Sequence, residues 1–424
     1  MQQRISPASA ITGTVSLPGD KSISHRYAII GAIAEGETRI RNYSTGADCH
    51  STLDAVRALG IEVESQGTDL AIRGKGLDGL RQPAAGLDAG NSGSTIRMLS
   101  GILAGQPFRS RIFGDESLSR RPMRRIIQPL ERMGARIGAR EDQYPPLEIE
   151  GGRLAPIHYN LPVASAQVKT CVLFAGLFAD GETSVTEPMR SRDHTEIALR
   201  EFGADLRVER QRITVTGRPR LAGRELTVPS DLSSAAFFIV AALLVPGSRL
   251  SIQGVGLNPT RSALLDFLVS MGARIRVPDL ESVNGELIGE IVVEHSGLRG
   301  GTIGKELTAA LIDEIPVLAV LGAATQDGLV VRDASELRVK ETDRIHTVVD
   351  NLRRMGVAAE ELPDGLAVPG RQKFRAAELD SFGDHRIAMA FAVAALCAGG
   401  ESLIHGAEAA SVSFPEFWET LSRL

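Results

Sequence analysis

Aromatic side chains are scarce in this chain, with four Tyr, thirteen Phe and a single Trp among 424 residues. Single-stranded nucleic acid is held largely by stacking bases on aromatic rings, so that mode of binding has little to work with. Positive charge is not in surplus either. The net charge of −5 argues against a general hold on nucleic acid or on an anionic membrane surface. Cysteine is limited to Cys49, Cys171 and Cys397, an odd and unclustered set with no Cys-x-x-Cys pair. Such a set offers no metal pattern and fits a reducing compartment. Cys49, in Gly-Ala-Asp-Cys-His-Ser-Thr, is the one expected at the surface, while Cys171 and Cys397 lie in apolar helical runs. Long apolar runs are also missing. The longest, Ala235 to Val245, is too short to span a bilayer and is expected to form a buried helix. The opening residues MQQRISPASA lack the apolar core of a signal peptide, and no Gly-x-x-x-x-Gly-Lys-Ser/Thr run supports a P-loop. A cytoplasmic protein is expected, with neither nucleic acid nor membrane as partner.

What is present is globular. The composition is 43% hydrophobic and 23% charged, and the length favours two domains. One phrase recurs: a polar start marked by Gly or Ser, an apolar helix, a Gly turn and β-branched strand, then a second helix closing on a hydrophobic residue and Gly. Five copies close at Gly60, Gly134, Gly203, Gly272 and Gly356, and a sixth starts at Phe382-Gly-Asp-His-Arg. The interval is too long for a solenoid repeat, so each copy is a small αβ module. Six modules suggest two halves of three with a seam at Arg224 to Pro229, in the α/β or α+β class.

Charge falls at the module starts. Leu17-Pro-Gly-Asp-Lys-Ser-Ile-Ser-His-Arg26 ends a strand-like run with a Pro-Gly break and opens a helix carrying Lys21, Ser22 and Arg26. Free N–H groups and the helix dipole favour anions there, and Arg26 is able to grip a phosphate or carboxylate with two hydrogen bonds. Asp20 or Ser22 as an ordinary N-cap is the plainer alternative. Other starts bring Asn91, Ser94, Thr95 and Arg97; Ser165, Gln167 and Lys169; Ser230, Asp231, Ser233 and Ser234; Asp313 and Glu314; and Asp384, His385 and Arg386. If the modules pack alike, these helix starts converge on a cleft suited to a substrate with several negative charges.

In order and spacing, LPGDKSISHR, GNSGSTIR, GDESLSRRPM, VASAQVKT, SRDHTE, ELRVKETDRI and GDHRIAM resemble the motifs of the 5-enolpyruvylshikimate-3-phosphate synthase family. The resemblance covers about residues 5 to 420, and the VASAQVK and SRDHTE wording is similar to the class II bacterial branch. It implies enolpyruvyl transfer from phosphoenolpyruvate to the 5-hydroxyl of shikimate 3-phosphate, without metal or organic cofactor. It also implies a two-domain inverse αβ barrel of six βαβαββ modules, three per domain, with an interdomain active-site cleft. One domain would comprise residues 1–19 plus 229–424 and the other residues 20–228, in a monomer.

By that resemblance, shikimate 3-phosphate is held by Lys21, Ser22, Arg26, Ser165, Gln167, Arg192, Asp313 and Lys340. Phosphoenolpyruvate is held by Lys21, Asn91, Gly93, Arg121, Gln167, Arg344 and Arg386. Catalysis falls to Lys21, Asp313 and Glu341, with Asp313 taking the hydroxyl proton and Glu341 handling the methylene proton. Glu314 competes with Asp313, because spacing alone does not separate adjacent carboxylates. Of Arg120 and Arg121, the residue before Pro122 is preferred for the site. Lys340 either binds phosphate or pairs with Glu336, and His385 positions Arg386. Two features depart from or qualify the pattern. Ala410-Ser-Val-Ser-Phe-Pro415 lacks a lysine found in many relatives, and Gly93 stands where glyphosate-tolerant members often carry a bulkier residue, so inhibition by glyphosate is expected. Two alternatives remain at this stage. The sister transferase acting on UDP-N-acetylglucosamine relies on a reactive cysteine in a mobile loop, and a non-catalytic phosphate-binding protein would share the fold.

Overall fold

A computed structural model describes all 424 residues. They form two compact units. The first comprises Gly19–Val228 with Val283–Glu286, and the second Met1–Pro18, Pro229–Ser282 and Leu287–Leu424. Helices of the first unit are α1 (Lys21–Ile33), α2 (Ala47–Ala58), α3 (Gly93–Ala104), α4 (Arg124–Arg132), α5 (Ala166–Gly176) and α6 (His194–Glu201). Those of the second are α7 (Leu232–Leu244), α8 (Ala263–Ser270), α9 (Glu306–Leu311), α10 (Ile315–Ala324), α11 (Arg344–Arg354), α12 (His385–Leu396) and α13 (Phe417–Ser422).

Each unit carries three sheets, which makes six modules in the mixed α/β class read from the repeats. The first unit repeats one sheet design three times. A parallel edge pair leads into an antiparallel meander, as where Glu225–Thr227 pairs parallel with Glu35–Arg41 and antiparallel strands Asp69–Lys75 and Glu62–Gln66 follow. The sheet of Gly300–Ile303, Gly328–Val331, Gly365–Val368 and Glu360–Leu362 in the second unit obeys the same rule. The last module differs, because Ser402–His405 is flanked by Glu378–Asp380 and by the N-terminal strand Gln2–Ile5 in place of a hairpin.

Helices divide by pattern. Past their opening turns, α1, α3, α5, α7, α10 and α12 carry apolar and small residues around the whole circumference, so these helices fill the unit interiors, where α3 packs on α1 and α5, and α12 on α7 and α10. The expected buried helix at Ala235 to Val245 is α7. The others are amphipathic. In α4, for example, Ile126, Ile127 and Leu130 are buried while Arg125, Gln128 and Glu131 face solvent. The five closing glycines owe their recurrence to backbone geometry. Gly60, Gly134, Gly203, Gly272 and Gly356 have φ of 85°, 110°, 97°, 101° and 77°, a region costly to residues with a Cβ. In each case the next residue's N–H reaches back to the last turn, as Ala135 N to Leu130 O at 3.1 Å, which satisfies carbonyls the helix end leaves open. No helix is long and apolar enough to cross a membrane.

Candidate active site

Caps fix where the chemistry-bearing helices begin. The Asp20 carboxylate accepts from Ile23 N at 2.9 Å and starts α1, so of the two cap candidates it is Asp20 that caps. Ser92 caps α3, Ser165 caps α5, Asp343 caps α11 and Asp384 caps α12. Capping is therefore the observed role of Ser165, whose half-buried hydroxyl accepts from Val168 N at 3.4 Å.

In the first unit Lys21 lies in the first turn of α1, its Nζ 2.8 Å from Asp48 Oδ2 on α2. Ser22 is half-buried beside it. Behind them runs a chain of hydroxyls: His25 Nδ1 meets Thr52 Oγ1 at 2.7 Å, Thr52 meets Thr95 at 2.7 Å, and Thr95 donates to Ser92 at 2.7 Å. These bonds tie together the starts of α1, α2 and α3. Burial, reinforced by Lys21 and Arg26, holds His25 well below the usual imidazole range, so it serves the network as a neutral ring. Arg26 is only 2% exposed. Its Nε donates to Thr195 Oγ1 at 2.7 Å, Nη2 to Thr170 Oγ1 at 2.9 Å and Nη1 to the Ser22 carbonyl at 2.7 Å. Burial pushes its pKa down to about 10, against the opposing pull of Glu196 and Asp20, so it stays charged at neutral pH.

The start of α3 gathers a second group. Arg121 is buried and donates Nη2 to Asn91 Oδ1 at 2.7 Å and to Ser117 Oγ at 3.0 Å, while Arg120 is 73% exposed on its side chain. Asn91 also donates to Asp115 at 2.7 Å. Gln167 on α5 accepts from Arg97 Nη1 at 2.8 Å and donates to Ser94 Oγ at 2.9 Å, linking α5 to α3. A methyl built on Gly93 would stand 2.5 Å from Arg97 Nη1 and 3.6 Å from Arg121 Nη1, so the missing side chain leaves room for two guanidiniums. Arg192 sits half-buried in the loop before α6, near enough to Arg26 to lower its pKa.

In the second unit, carboxylates and cations gather around Asp313. Asp313 Oδ1 lies 3.7 Å from Lys340 Nζ and 3.8 Å from Arg344 Nη1, and Oδ2 lies 3.8 Å from Arg386 Nη2. Arg386 also donates to the Asp313 carbonyl at 2.7 Å. Glu341 Oε2 accepts from Arg344 Nη2 at 2.5 Å. Buried Asp384 accepts from Arg344 Nε at 2.7 Å and from Arg386 N at 2.9 Å. Burial alone would lower the Arg344 pKa, but Asp384, Glu341 and Asp313 together outweigh it and raise it. Glu314 is buried, bonded to Ser233 Oγ and 3.8 Å from Arg386 Nη1, whereas the Asp313 carboxylate has Lys340, Arg344 and Arg386 around it. His385 is buried, 3.9 Å from Asp384 Oδ1.

Sequence reasoning missed Asp48, Thr52, Thr170 and Thr195 as partners, and gave Arg97 no role. Spacing carries no signal for Asp48, since its link to Lys21 is tertiary. One expectation is corrected. Cys49 is fully buried because the first turn of α2 packs against α1, its Sγ 3.7 Å from the Lys21 carbonyl, and burial pushes its thiol far above the ordinary range. No group of three or more His, Cys, Asp or Glu side chains is placed to hold a metal ion.

A family model described as EPSP synthase (3-phosphoshikimate 1-carboxyvinyltransferase) matches residues 5–421. The chain is 75% identical over 424 residues to the 3-phosphoshikimate 1-carboxyvinyltransferase of Solibacter usitatus (strain Ellin6076), covering 100% of both chains. It is 54% identical to that of Koribacter versatilis (strain Ellin345), over 99% of this chain and 98% of the relative. The solved EPSP synthase of Acinetobacter baumannii superposes with a TM-score of 0.89 at 43% identity, over 100% of this chain and 98% of that one.

Proposed function

The chain belongs to the EPSP synthase (3-phosphoshikimate 1-carboxyvinyltransferase) family, and on that premise we propose which of its residues carry the reaction. It is a shikimate-pathway transferase that moves the enolpyruvyl group of phosphoenolpyruvate to the 5-hydroxyl of shikimate 3-phosphate and releases phosphate.

The observation that supports the assignment best is the setting of Asp313, one carboxylate with Lys340, Arg344 and Arg386 each within 3.8 Å. Phosphoenolpyruvate brings a phosphate and a carboxylate on three carbons, and closely spaced guanidiniums match both groups. In this reading Arg344 and Arg386 bind phosphoenolpyruvate together with Lys21, Arg121, Asn91, Gly93 and Gln167. Lys21, Ser22, Arg26, Ser165, Gln167, Arg192, Asp313 and Lys340 bind shikimate 3-phosphate.

The chemistry proceeds by addition and elimination. Asp313 takes the proton of the 5-hydroxyl as its oxygen bonds to C2 of phosphoenolpyruvate, and the C2–C3 double-bond electrons take up a proton at C3 from Glu341. The tetrahedral intermediate then returns a C3 proton to Glu341. The double bond re-forms and the C2–O bond to phosphate breaks, the proton held by Asp313 passing to the departing phosphate while Lys21 balances its charge. The enzyme is read as cytoplasmic, which its odd and unclustered set of three cysteines supports, and as a monomer, which the family resemblance implies.

The test separates the two carboxylates. In deuterated solvent, Glu341→Gln is expected to lose label entry at C3 while still binding shikimate 3-phosphate, and Asp313→Asn to lose about 10²–10⁴ in kcat. A wild-type rate in either variant refutes its role.

A further inference from the structure

Three charged side chains that the mechanism does not use lie buried in the first unit. Lys169 on α5 is 0% exposed, and its Nζ stands 2.7 Å from Glu196 Oε1 and 3.1 Å from Glu187 Oε2, carboxylates that are themselves 4% and 1% exposed. Burial raises the Glu196 pKa while Lys169 opposes it. Stability alone is a weak reason for such a cluster, since well-packed apolar side chains generally serve as well or better. Apolar groups would not, however, make the bonds this cluster makes.

Those bonds converge on the loop before α6. Glu187 accepts from the Ser191 hydroxyl, and its other oxygen faces Ser191 N at 3.4 Å. Asp193 pairs with Arg190 at 2.8 Å, and His194 Nδ1 meets Glu286 Oε1 at 2.7 Å. Thr195 holds Arg26 Nε at 2.7 Å and shares a hydrogen bond with Thr170, the neighbour of Lys169. Arg192 is thus flanked by anchored residues on both sides, and Arg26 is fixed through the same helical turn.

We propose that Lys169 is a positioning residue for shikimate 3-phosphate. Through Glu187 and Ser191 it sets the loop that presents Arg192, and through Glu196 it sets the first turn of α6, which holds Arg26. Fully buried, Lys169 acts through these groups and not by contact with substrate. The inference rests on the reading of Arg26 and Arg192 as ligands of that substrate.

The test is steady-state kinetics with each substrate varied in turn, on the full chain. Lys169→Met strands two buried carboxylates and risks the fold, so Ser191→Ala, which cuts the tether at its half-exposed end, is the informative variant. It is expected to raise KM for shikimate 3-phosphate about tenfold, the weight of one hydrogen bond to a charged group. Its kcat and KM for phosphoenolpyruvate should stay within about twofold, and Ser191→Thr, which keeps the hydroxyl, should restore KM. In an Arg192→Ala background, Ser191→Ala should add nothing, because both changes remove the same contact. If Arg192→Ala raises KM and Ser191→Ala does not, the positioning role is overturned and the ligand reading stands. If Arg192→Ala itself leaves KM unchanged, the ligand reading fails and the inference falls with it.

Discussion

Gly101 lies inside α3, where exchanging glycine for alanine ordinarily adds about 1 kcal/mol of helix stability. Packing reverses the sign. A methyl built on Gly101 would stand 2.2 Å from the carbonyl oxygen of Cys171 on α5 and 3.0 Å from its carbonyl carbon. Ordinary contact begins near 3.4 Å, so the two helices would have to part by about 1 Å. The obstacle is backbone, which has no rotamer to escape into, so the upper end of the usual overpacking cost applies, about 3 kcal/mol. Subtracting the propensity gain leaves a net loss of about 2 kcal/mol. The same displacement strains the α3–α5 links at their helix starts, Arg97 to Gln167 at 2.8 Å and Gln167 to Ser94 at 2.9 Å, so KM should rise as well. Denaturant unfolding followed by circular dichroism, with kinetics alongside, reads both effects. Gly152→Ala is the control, since nothing lies within 4 Å of its added methyl, and it should change stability by no more than about 0.5 kcal/mol. A Gly101→Ala protein as stable as wild type would refute the close-contact argument.

Asp384→Asn should cost about 3 kcal/mol, because it leaves Arg344 buried with the carboxylate that accepts from both its Nε and Nη2 neutralised. Burial alone would raise the Asp384 pKa, but Arg344 chiefly outweighs it and holds the group below its ordinary 3.8. A depressed carboxyl pKa contributes stability that is present above that ordinary value and lost as pH falls through the folded one. The gap in melting temperature between variant and wild type should therefore be constant from about pH 8 to pH 5 and narrow only in acid. Gly93→Ala should fold normally, since its methyl meets the flexible end of Arg97 at 2.5 Å, yet disturb the Arg97–Gln167 bond and raise KM several-fold. Wild type should be inhibited by glyphosate in competition with phosphoenolpyruvate at submillimolar concentration, and the Gly93→Ala variant less so. No inhibition of wild type at about millimolar would contradict the unobstructed pocket that the family resemblance implies. Iodoacetamide at neutral pH should spare activity, because burial pushes the Cys49 and Cys171 thiols far up and the Cys397 thiol up to about 12. Rapid inactivation would show an accessible thiolate that the packing forbids.

The modules were legible because their signals are local. A glycine forced to positive φ by a helix C-cap, or an Asp or Ser taking the first free N–H groups, is decided within a few residues. Strand partnership is not local. Nothing within Glu225–Thr227 says that it completes the sheet begun at Glu35. That Asn284 receives Thr227 N at 3.0 Å and belongs with the first unit likewise depends on distant chain. The site divides the same way. Helix starts announced Lys21, Gln167 and Arg386, while Asp48, Thr170 and Thr195 became partners only through helix packing. The polar neighbours of Cys49 suggest the surface, but packing against α1 decides its burial.

The most direct measurement is phosphate release from phosphoenolpyruvate, with and without shikimate 3-phosphate, on wild type and on Lys21→Ala. The account requires release only when both substrates are present, and its near-complete loss in the variant, whose removed ammonium stands 2.8 Å from Asp48 at the start of α1. Release without shikimate 3-phosphate, or undiminished release from Lys21→Ala, would contradict it.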